Sequence, residues 1–493
     1  MRRRTVLATA LATTLGSGAL AGLTACSSSG KSNVIAPTPS PVPAATIKQP
    51  PVPAPPSSTS CPSGFSSRVL WPTANVPSAI TAVHEHYLAG TAEVNDDLLP
   101  ETNGLRPVVV DLNGPTTWAV LLDEDGELIT KEVELKDSPA TSRLDPFGTS
   151  DDSASPTPGL PYTALSAGPA VIDGTHAYLV VAAVDYAYPG ETIRGSMNFP
   201  VSLVKVNLTN GALEASTTIS EGLPIKDVIV PTSSRHPGGG LRSGLYLSLS
   251  PDRTGLLLSA DPSSDSYDAQ PLGLRLSTED LSVELDVLAD VPNLGPFDLY
   301  GEAVRINSSA TSVISLADGQ EVSIEAAEPF FAWNGWLYYY GAPTRSVNNS
   351  CYAREMATGQ TIALDVTDSY FNGSTVSYAI GSSYHVPGIF SDQRQLLFTD
   401  GPFYYLDPPS STTGAPGWDK SRPAPQAACV FGDVLYTVPA AGADTTADVE
   451  LTSVTTGEPL GEVAGVGIDW PIAVTAWGLA CGGSFYPATA WLD

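Results

Sequence analysis

Two histidines and a glutamate stand together at the start of the chain's strand-like region. His84 and His86 flank Glu85. On a β-strand, residues two apart point to the same side, as two metal ligands can. A third ligand cannot be named, and Leu88 occupies the position where a His-Glu-x-x-His zinc site needs its second histidine. The sequence therefore predicts no metal and no cofactor.

The other polar residues give no catalytic arrangement. The chain has no Gly-x-Ser-x-Gly elbow of a hydrolase. His176, His236 and His385 each stand beside turn or loop residues, where we expect surface or turn positions. The acidic run 123–127 lacks the alternating oxygen ligands of a calcium loop, so it predicts a hairpin turn. No catalytic residue is predicted, and whether the protein is an enzyme is left open, with catalysis the less favoured reading.

Cys26 has the most specific sequence context in the chain. Leu23, Thr24 and Ala25 precede it, and before them an uncharged run from residue 5 follows three arginines, Arg2 to Arg4. A basic segment, an apolar segment and small residues at a cleavage site form an export signal. The whole resembles the lipobox signal peptide of bacterial lipoproteins. That resemblance implies a signal peptide over 1–25, cleavage before Cys26, and acylation of Cys26 by palmitate-type chains.

The same resemblance implies an extracytoplasmic protein, anchored by lipid to the cell membrane. Arg3 and Arg4, followed by Thr5, Val6 and Leu7, leave both the twin-arginine and the Sec export routes open. The apolar run is also long enough for an uncleaved membrane anchor. Its many Ala, Thr and Gly residues make that insertion weak, so a cleaved signal is favoured.

Residues 26–60 are rich in Pro, Ser and Thr and contain almost no large apolar residue. Such a segment favours extended polyproline II and cannot nucleate a core. It predicts a tether that rises ~3 Å per residue where extended. The tether would hold a folded domain over 61–493 away from the membrane.

The remaining sequence is typical of an all-β protein. It has 44 Gly and 44 Pro, only 15% charged residues, and short β-branched and aromatic segments between turns. One repeated element is an apolar residue, a turn and an aromatic strand, as in 172–178, 333–338 and 431–436. A second is a strand, a polar-Gly turn and another strand. It occurs at Asp125-Gly126, Asn210-Gly211, Asp318-Gly319, Thr358-Gly359 and Thr456-Gly457, with weaker copies at 278–280 and 413–414.

Seven hairpins at this spacing predict a β-propeller, whose four-stranded blades run ~40–50 residues. We expect seven blades, with six or eight as alternatives and tandem β-sandwiches as the rival fold. The last stretch, 470–493, supplies strands but no final Gly hairpin. The segment from Phe65 to Trp71 is therefore expected to supply its missing outer strand. The pattern resembles bacterial extracytoplasmic propellers with quinoprotein-like or surface-layer-type repeats. This resemblance concerns the architecture and assigns no active-site residues to the chain.

Four cysteines remain after Cys26, and none are spaced as Cys-x-x-Cys. Outside the cytoplasm an even set of four predicts two disulfides with three possible connectivities. We favour Cys61–Cys481, which would lock the ring, with Cys351–Cys429 as the second pair.

The net charge of −29 argues against nucleic acid and anionic lipid headgroups as partners. Two functions stay open. The favoured one is a binding or scaffold lipoprotein that recognises a protein or glycan of the cell envelope. The alternative is an envelope polysaccharide-active enzyme with carboxylates in the propeller channel. For binding, Trp118, Trp418 and Trp477 are the candidate loop aromatics, since each stands near Pro, Gly or turn residues.

Overall fold

The structure is a computed structural model of the 493-residue chain. It describes residues 61–66, 80–93, 105–113, 116–123, 127–133, 163–185, 197–225, 227–228, 241–242, 245–260, 272–287, 289, 298–299, 302–305, 311–324, 328–333, 335–340, 350–367, 396–398, 404–406, 427–432, 434–438, 446–453, 456–467, 472–481 and 484–492. The chain divides into two units, Met1–Pro51 and Val52–Asp493. The described residues all belong to the second unit. Cys26, the signal peptide and the tether lie outside the description.

Strands follow one another in antiparallel sheets that keep chain order. The first sheet contains β1 (Ile80–His84), β2 (Tyr87–Glu93), β3 (Leu105–Asp111), β4 (Thr116–Leu122) and β5 (Leu128–Glu132). The second contains β6 (Thr163–Ile172), β7 (His176–Asp185), β8 (Met197–Asn207) and β9 (Leu213–Ile225), and is followed by the hairpin β10 (Asp227–Val228) and β11 (Leu241–Arg242). The third contains β12 (Leu245–Leu249), β13 (Gly255–Ala260), β14 (Leu272–Ser277) and β15 (Val283–Asp286).

The second half of the domain continues the same order. The fourth sheet contains β16 (Asp298–Leu299), β17 (Ala303–Arg305), β18 (Ser312–Ser315) and β19 (Glu321–Ser323). The fifth contains β20 (Glu328–Trp333), β21 (Trp336–Tyr340), β22 (Ser350–Glu355) and β23 (Thr361–Thr367), and the sixth β24 (Leu396–Phe398) and β25 (Tyr404–Leu406). The seventh contains β26 (Ala427–Phe431), β27 (Val434–Val438), β28 (Thr446–Ser453) and β29 (Pro459–Gly467). The last contains β30 (Ile472–Thr475), β31 (Gly478–Cys481) and β32 (Ser484–Pro487), followed by helix α1 (Thr489–Leu492).

Neighbouring sheets pack face to face around a common axis. Separate apolar clusters join the first sheet to the second, the second to the third, the third to the fourth and the fourth to the fifth. The largest cluster joins the seventh and last sheets back to the first. First strands of adjacent sheets also meet, as in β1 with β6 and β26 with β30. First strands therefore line the axis, and a β-sheet buries its apolar faces only against the next sheet.

The fold is a β-propeller. This confirms the all-β prediction and rejects tandem sandwiches, because strands pair in chain order and Phe65 at the start of the described domain pairs with Ala488 near its end. The described strands form nine sheets of two to five strands, and the blade number, favoured at seven, stays a prediction. The hairpins at 318–319 and 358–359 are found between β18 and β19 and between β22 and β23, whereas 413–414 lies outside the described residues.

The N-terminal end of the domain closes the ring. Phe65 pairs with Ala488 as an antiparallel bridge. Ser66 N donates to Pro487 O at 2.7 Å, and Thr489 N donates to Gly64 O at 3.0 Å. The closing role predicted for the segment that begins at Phe65 is thus confirmed at Phe65 itself, while residues 67–71 lie outside the description. We call residues 61–66 together with the last sheet the closing seam.

Candidate functional site

Polar side chains gather where the short hairpin turns of the first three sheets meet. In an antiparallel four-stranded sheet, the turn between the first two strands and the turn between the last two lie at the same end of the sheet. The turn 173–175 of the second sheet therefore lies near the turn 207–212 of the same sheet. We name the group of side chains at this end of the sheet the Asp173 cluster; its members are His84, Asp173, Thr175, His176, Tyr178, Lys205 and Glu214.

Asp173 is the acceptor at the centre of the cluster. Its Oδ1 accepts hydrogen bonds from the backbone N–H groups of Thr175 and His176, both at 2.7 Å, and from the Thr175 hydroxyl at 2.8 Å. Its Oδ2 accepts from the Tyr178 hydroxyl at 3.0 Å. Burial alone would raise the pKa of Asp173, but these hydrogen bonds to the carboxylate hold the pKa below its ordinary value. Asp173 is therefore an ionised structural acceptor.

His176 lies between a hydroxyl and a carboxylate. Its Nδ1 is 2.9 Å from Thr175 Oγ1, and its Nε2 is 2.9 Å from Glu214 Oε2. Asn207 Nδ2 donates to the other Glu214 oxygen at 2.7 Å, which lowers the pKa of Glu214. The prediction of a turn position for His176 is confirmed, since it begins β7. Its partner Glu214 was not predicted, because the two residues are far apart in sequence.

Two members of the cluster reach across to the third sheet. The Tyr178 hydroxyl also lies 3.3 Å from the carbonyl oxygen of Thr278. Lys205 Nζ donates to the carbonyl of Glu279 at 3.0 Å and lies 3.5 Å from Glu214 Oε2. Burial raises the pKa of Tyr178, and the charge of Asp173 adds to that effect. Both long side chains therefore connect one sheet to the turn of the next.

The two histidines beside Glu85 diverge instead of sharing one side. His84 ends β1, and Glu85 has a φ of 50°, which turns the chain out of strand geometry. His84 Nε2 points at Gly174 of the second sheet, where a Cβ would lie only 3.1 Å away. Burial is the main cause of the lowered pKa of His84. The expectation that both histidines face one side is thus wrong.

His86 turns the other way, toward the closing seam. Its ring centroid is 5.1 Å from that of Trp477 and 4.1 Å from that of Tyr87. Its Nε2 is 3.7 Å from Asp111 Oδ1, while burial lowers its pKa. Within the described residues no group of three or more His, Cys, Asp or Glu side chains is placed to hold a metal ion.

A second buried acceptor joins three sheets. Glu302, between β16 and β17, has no exposed surface. Its Oε1 accepts from the Ser248 hydroxyl of the third sheet at 3.0 Å, and its Oε2 accepts from Gly335 N of the fifth sheet at 3.0 Å. A buried carboxylate stays in a core only when its oxygens are hydrogen-bonded. Glu302 thus ties the fourth sheet to both neighbours.

The Asp173 cluster joins neighbouring turns by hydrogen bonds. Glu214, His176 and Thr175 have the order of a carboxylate, imidazole and hydroxyl triad. Thr175 Oγ1 lies 2.8 Å from Asp173 Oδ1 and 2.9 Å from His176 Nδ1, so its single proton can be donated to one of the two. Glu214 also accepts from Asn207 Nδ2.

Two of the three tryptophans expected on loops are in the core. Trp118 is 7% exposed and packs against the turn of the second sheet, where a Cβ on Gly211 would lie 2.0 Å from the indole. Gly211 has a φ of 69°, so both the turn and the tryptophan require glycine there. Trp477 is 3% exposed, and its Nε1 donates to Asn113 Oδ1 at 2.8 Å. Trp418 lies outside the described residues.

Of the remaining predicted residues, the acidic run, two histidines and four cysteines, the structure describes only some. The run 123–127 joins β4 to β5 as the predicted hairpin, with Asp123 N donating to Glu127 O at 2.9 Å. His236 and His385 lie outside the described residues. Cys61 Sγ lies 3.4 Å from the carbonyl oxygen of Phe431. The side chains of Cys351, Cys429 and Cys481 are not described, so the disulfide pairing stays a prediction. Across the described ranges, no helix is long and apolar enough to cross a membrane.

Comparison with known proteins gives weak structural likenesses alone. No protein-family model and no curated protein matches the chain. The β-propeller domain of the trilobed protease from Pyrococcus furiosus is similar at a TM-score of 0.35 and 11% identity, over 67% of this chain and 92% of that one. A quinonprotein alcohol dehydrogenase-like protein from Bacteroides thetaiotaomicron is similar at a TM-score of 0.31 and 12% identity, over 66% and 67%. A puromycin-hydrolyzing peptidase from Mycobacterium tuberculosis is similar at 0.31 and 12%, over 82% and 56%. Likenesses of this size say nothing about activity.

Proposed function

We propose that the protein is a lipid-anchored extracytoplasmic binding lipoprotein, which holds a protein or glycan of the cell envelope on its propeller. Cys26 would carry the lipid, residues 26–60 would form the tether, and the domain from 61 onward would present the binding surface. The Leu23-Thr24-Ala25-Cys26 sequence supports the anchor. Closure of the ring at Phe65 supports a domain that begins directly after the tether.

The observation that supports binding is the structural use of the polar groups around His176. This group is the described one most like a catalytic triad, yet Thr175 Oγ1 also contacts Asp173, and Glu214 also accepts from Asn207. The nearby Lys205 donates to a backbone carbonyl of the next sheet. These contacts join turns within and between sheets, as expected for a scaffold that presents a binding surface.

The anchor is tested by replacing Cys26. Cys26→Ala should abolish acylation and move the protein from the membrane fraction to the soluble fraction, because stable anchoring needs more than one buried acyl chain at ~0.8 kcal/mol per CH₂. Mass spectrometry of the mature N-terminus reports the lipid. A mature protein that stays membrane-bound with no lipid on residue 26 would contradict the lipoprotein assignment.

Binding is tested with the unacylated chain against envelope polysaccharides and envelope proteins. We expect saturable binding without turnover. Trp418→Ala is the variant expected to weaken it, with Trp418→Phe as the conservative control, since aromatic anchors dominate binding energy. The same samples are assayed on glycosidic and ester substrates. Multiple turnover that is lost in a variant of one buried carboxylate would support the enzyme alternative instead.

A further inference from the structure

The β1–β2 turn carries two partly buried histidines, and each packs against a different neighbour of the first sheet. His84 Nε2 points at Gly174 in the β6–β7 turn of the second sheet, where a Cβ would lie 3.1 Å from that nitrogen. The His86 ring centroid lies 5.1 Å from that of Trp477 in the last sheet. Glu85, with its φ of 50°, separates the two rings and is itself exposed. The turn therefore touches both sheets that flank the first one.

The surroundings of His86 favour the neutral ring. Its Nδ1 is buried and has no hydrogen-bond partner among the described residues, and Glu85 Oε2 is 4.0 Å away. A neutral imidazole can leave that nitrogen unprotonated, whereas the imidazolium form places a buried N–H there without an acceptor. On the last sheet, 472–481 and 484–492 contain no Asp, Glu, Lys, Arg or His, so the charged groups that act on the ring are Asp111 and Glu85. Burial lowers the pKa of His86 more than these two carboxylates raise it.

The surroundings of His84 favour the neutral ring as well. Burial is the largest effect and lowers the pKa of His84. Arg253, in the β12–β13 turn of the third sheet, and His86 lower that pKa further, while Glu85 and Asp173 raise it. Protonation of one histidine also disfavours protonation of the other, because the two charges repel.

We propose that the His84-Glu85-His86 turn is an acid-sensitive latch, which holds the first sheet against both neighbours while the two histidines are neutral and loosens both contacts when they are protonated. In the opened chain a histidine takes up its proton near pH 6.5, whereas in the closed fold it does so at a lower pH. The contribution of the latch to stability is therefore complete above pH 6.5 and is lost as the pH falls below that value. The latch is a property of the fold, so it does not depend on the lipid anchor of the proposed function.

Hydrogen exchange of the full chain with Cys26→Ser measures the latch. Protection factors, corrected for the intrinsic pH dependence of exchange, are compared at pH 7.5 and pH 5.0. The test peptides cover 80–93 and 472–481, and the reference peptide covers 245–260, which contains no histidine. We expect protection of the test peptides to fall by about tenfold relative to the reference, since one titrating group can change an opening equilibrium by up to about tenfold per pH unit. The same pH dependence in all three peptides would overturn the proposal.

Matched variants separate titration from packing. In the double variant His84→Gln, His86→Gln, protection relative to the reference should be equal at the two pH values, whatever its absolute stability. Glu85→Gln should enlarge the loss at pH 5.0, because the Glu85 carboxylate raises the pKa of both histidines. Glu132→Gln, at an exposed residue of β5, makes the same change in net charge and should leave the loss as it is.

Two outcomes of the variants would overturn the latch. The first is a double variant that retains the full pH dependence. The second is a loss in Glu85→Gln that is no greater than in Glu132→Gln. The second comparison keeps both histidines in place, so it decides the matter even where the double variant fails to fold.

Discussion

The closing seam and the junctions of the second, third and fourth sheets hold neighbouring blades together in different ways. At the seam, Phe65 pairs by its backbone with Ala488 and joins the largest apolar cluster. At the other junctions, charged or hydroxyl side chains also reach the turn carbonyls of the next sheet, as Lys205 and Arg275 do. Side-chain hydrogen bonds reach the neighbouring sheets at the seam too, from Tyr436 to Pro62 O and from Trp477 to Asn113 Oδ1. The seam therefore differs from the other junctions by its added backbone pairing and by the size of its apolar cluster.

The difference follows from chain connectivity. Consecutive sheets are joined covalently, so a few well-placed bonds are enough to fix how one sheet sits on the next. The seam must bring together residues from the two ends of the domain, and that closure costs conformational entropy. Burial of aromatic side chains such as Phe65, Trp477 and Phe485 offsets this cost. Loss of packing at the seam should therefore destabilise the protein more than loss of a polar link elsewhere.

The largest effect is expected for Phe65→Ala. Phe65 is 7% exposed and packs against Tyr436. Its truncation should lower the free energy of unfolding by about 3–5 kcal/mol, because it leaves a cavity in the cluster that closes the ring. Denaturant unfolding measures the change. Leu460→Ala, at a side chain that is 54% exposed, is the control and should change stability by less than about 0.5 kcal/mol.

Glu302→Ala should have the next largest effect. It would leave the buried Ser248 hydroxyl and the Gly335 N–H without their carboxylate acceptor. We expect the free energy of unfolding to fall by about 2–4 kcal/mol, because buried donors that lose their acceptor are left without a hydrogen bond. Glu302→Gln keeps one acceptor oxygen and should lose less. Equal losses in the two variants would contradict the role of Glu302 as a two-sided acceptor.

Tyr178→Phe removes one polar link and leaves the packing intact. Its hydroxyl donates to Asp173 Oδ2 at 3.0 Å and lies 3.3 Å from the carbonyl oxygen of Thr278 in the third sheet. The expected loss is about 1.5 kcal/mol, the scale of a hydrogen bond to a charged group. Tyr352→Phe, at a half-buried position on the fifth sheet, is the comparison. If Tyr178→Phe is no more destabilising than that control, the polar link contributes nothing.

The pH dependence of the Asp173 cluster is the smallest expected effect. The pKa of Asp173 is held below its ordinary value of 3.8, so the unfolded chain binds a proton more readily than the folded one. Its stabilising contribution is complete above pH 3.8 and is lost as the pH falls below that value. The stability difference between the unmodified chain and Asp173→Asn should therefore shrink from pH 6 to pH 3. A constant difference across that range would show that Asp173 is not preferentially ionised in the fold.

The sequence predicts the fold better than the site. Hairpin turns have local signatures, so the β-propeller and its strand pairs could be predicted from Gly-containing turns. The missing hairpin of the last stretch identified Phe65 as the closing strand. The last sheet has three strands of its own, so it lacks the hairpin between a third and a fourth strand on which that prediction depends.

Contacts between sheets could not be predicted, because they leave no recognisable pattern in the local sequence. Trp118 and Trp477 stand beside turn residues in sequence, but both are buried because neighbouring turns pack over them, at Gly211 and Asn113. The same limit applies to the Asp173 cluster. The turn at Asp173 is visible in the repeated element, whereas the bond from His176 to Glu214 depends on the register of β7, β8 and β9.

Hydrogen exchange at the closing seam tests the central claim most directly. The unacylated full chain is exchanged in D₂O and digested, and protection is read in peptides that cover 61–66 and 484–492. The structure places the amides of Ser66 and Thr489 in hydrogen bonds across the seam. We expect these amides to be protected to the same extent as those of β12 and β13 in the third sheet. Exchange of the 61–66 peptide as fast as that of the tether residues 26–60 would contradict a ring closed by its N-terminal strand.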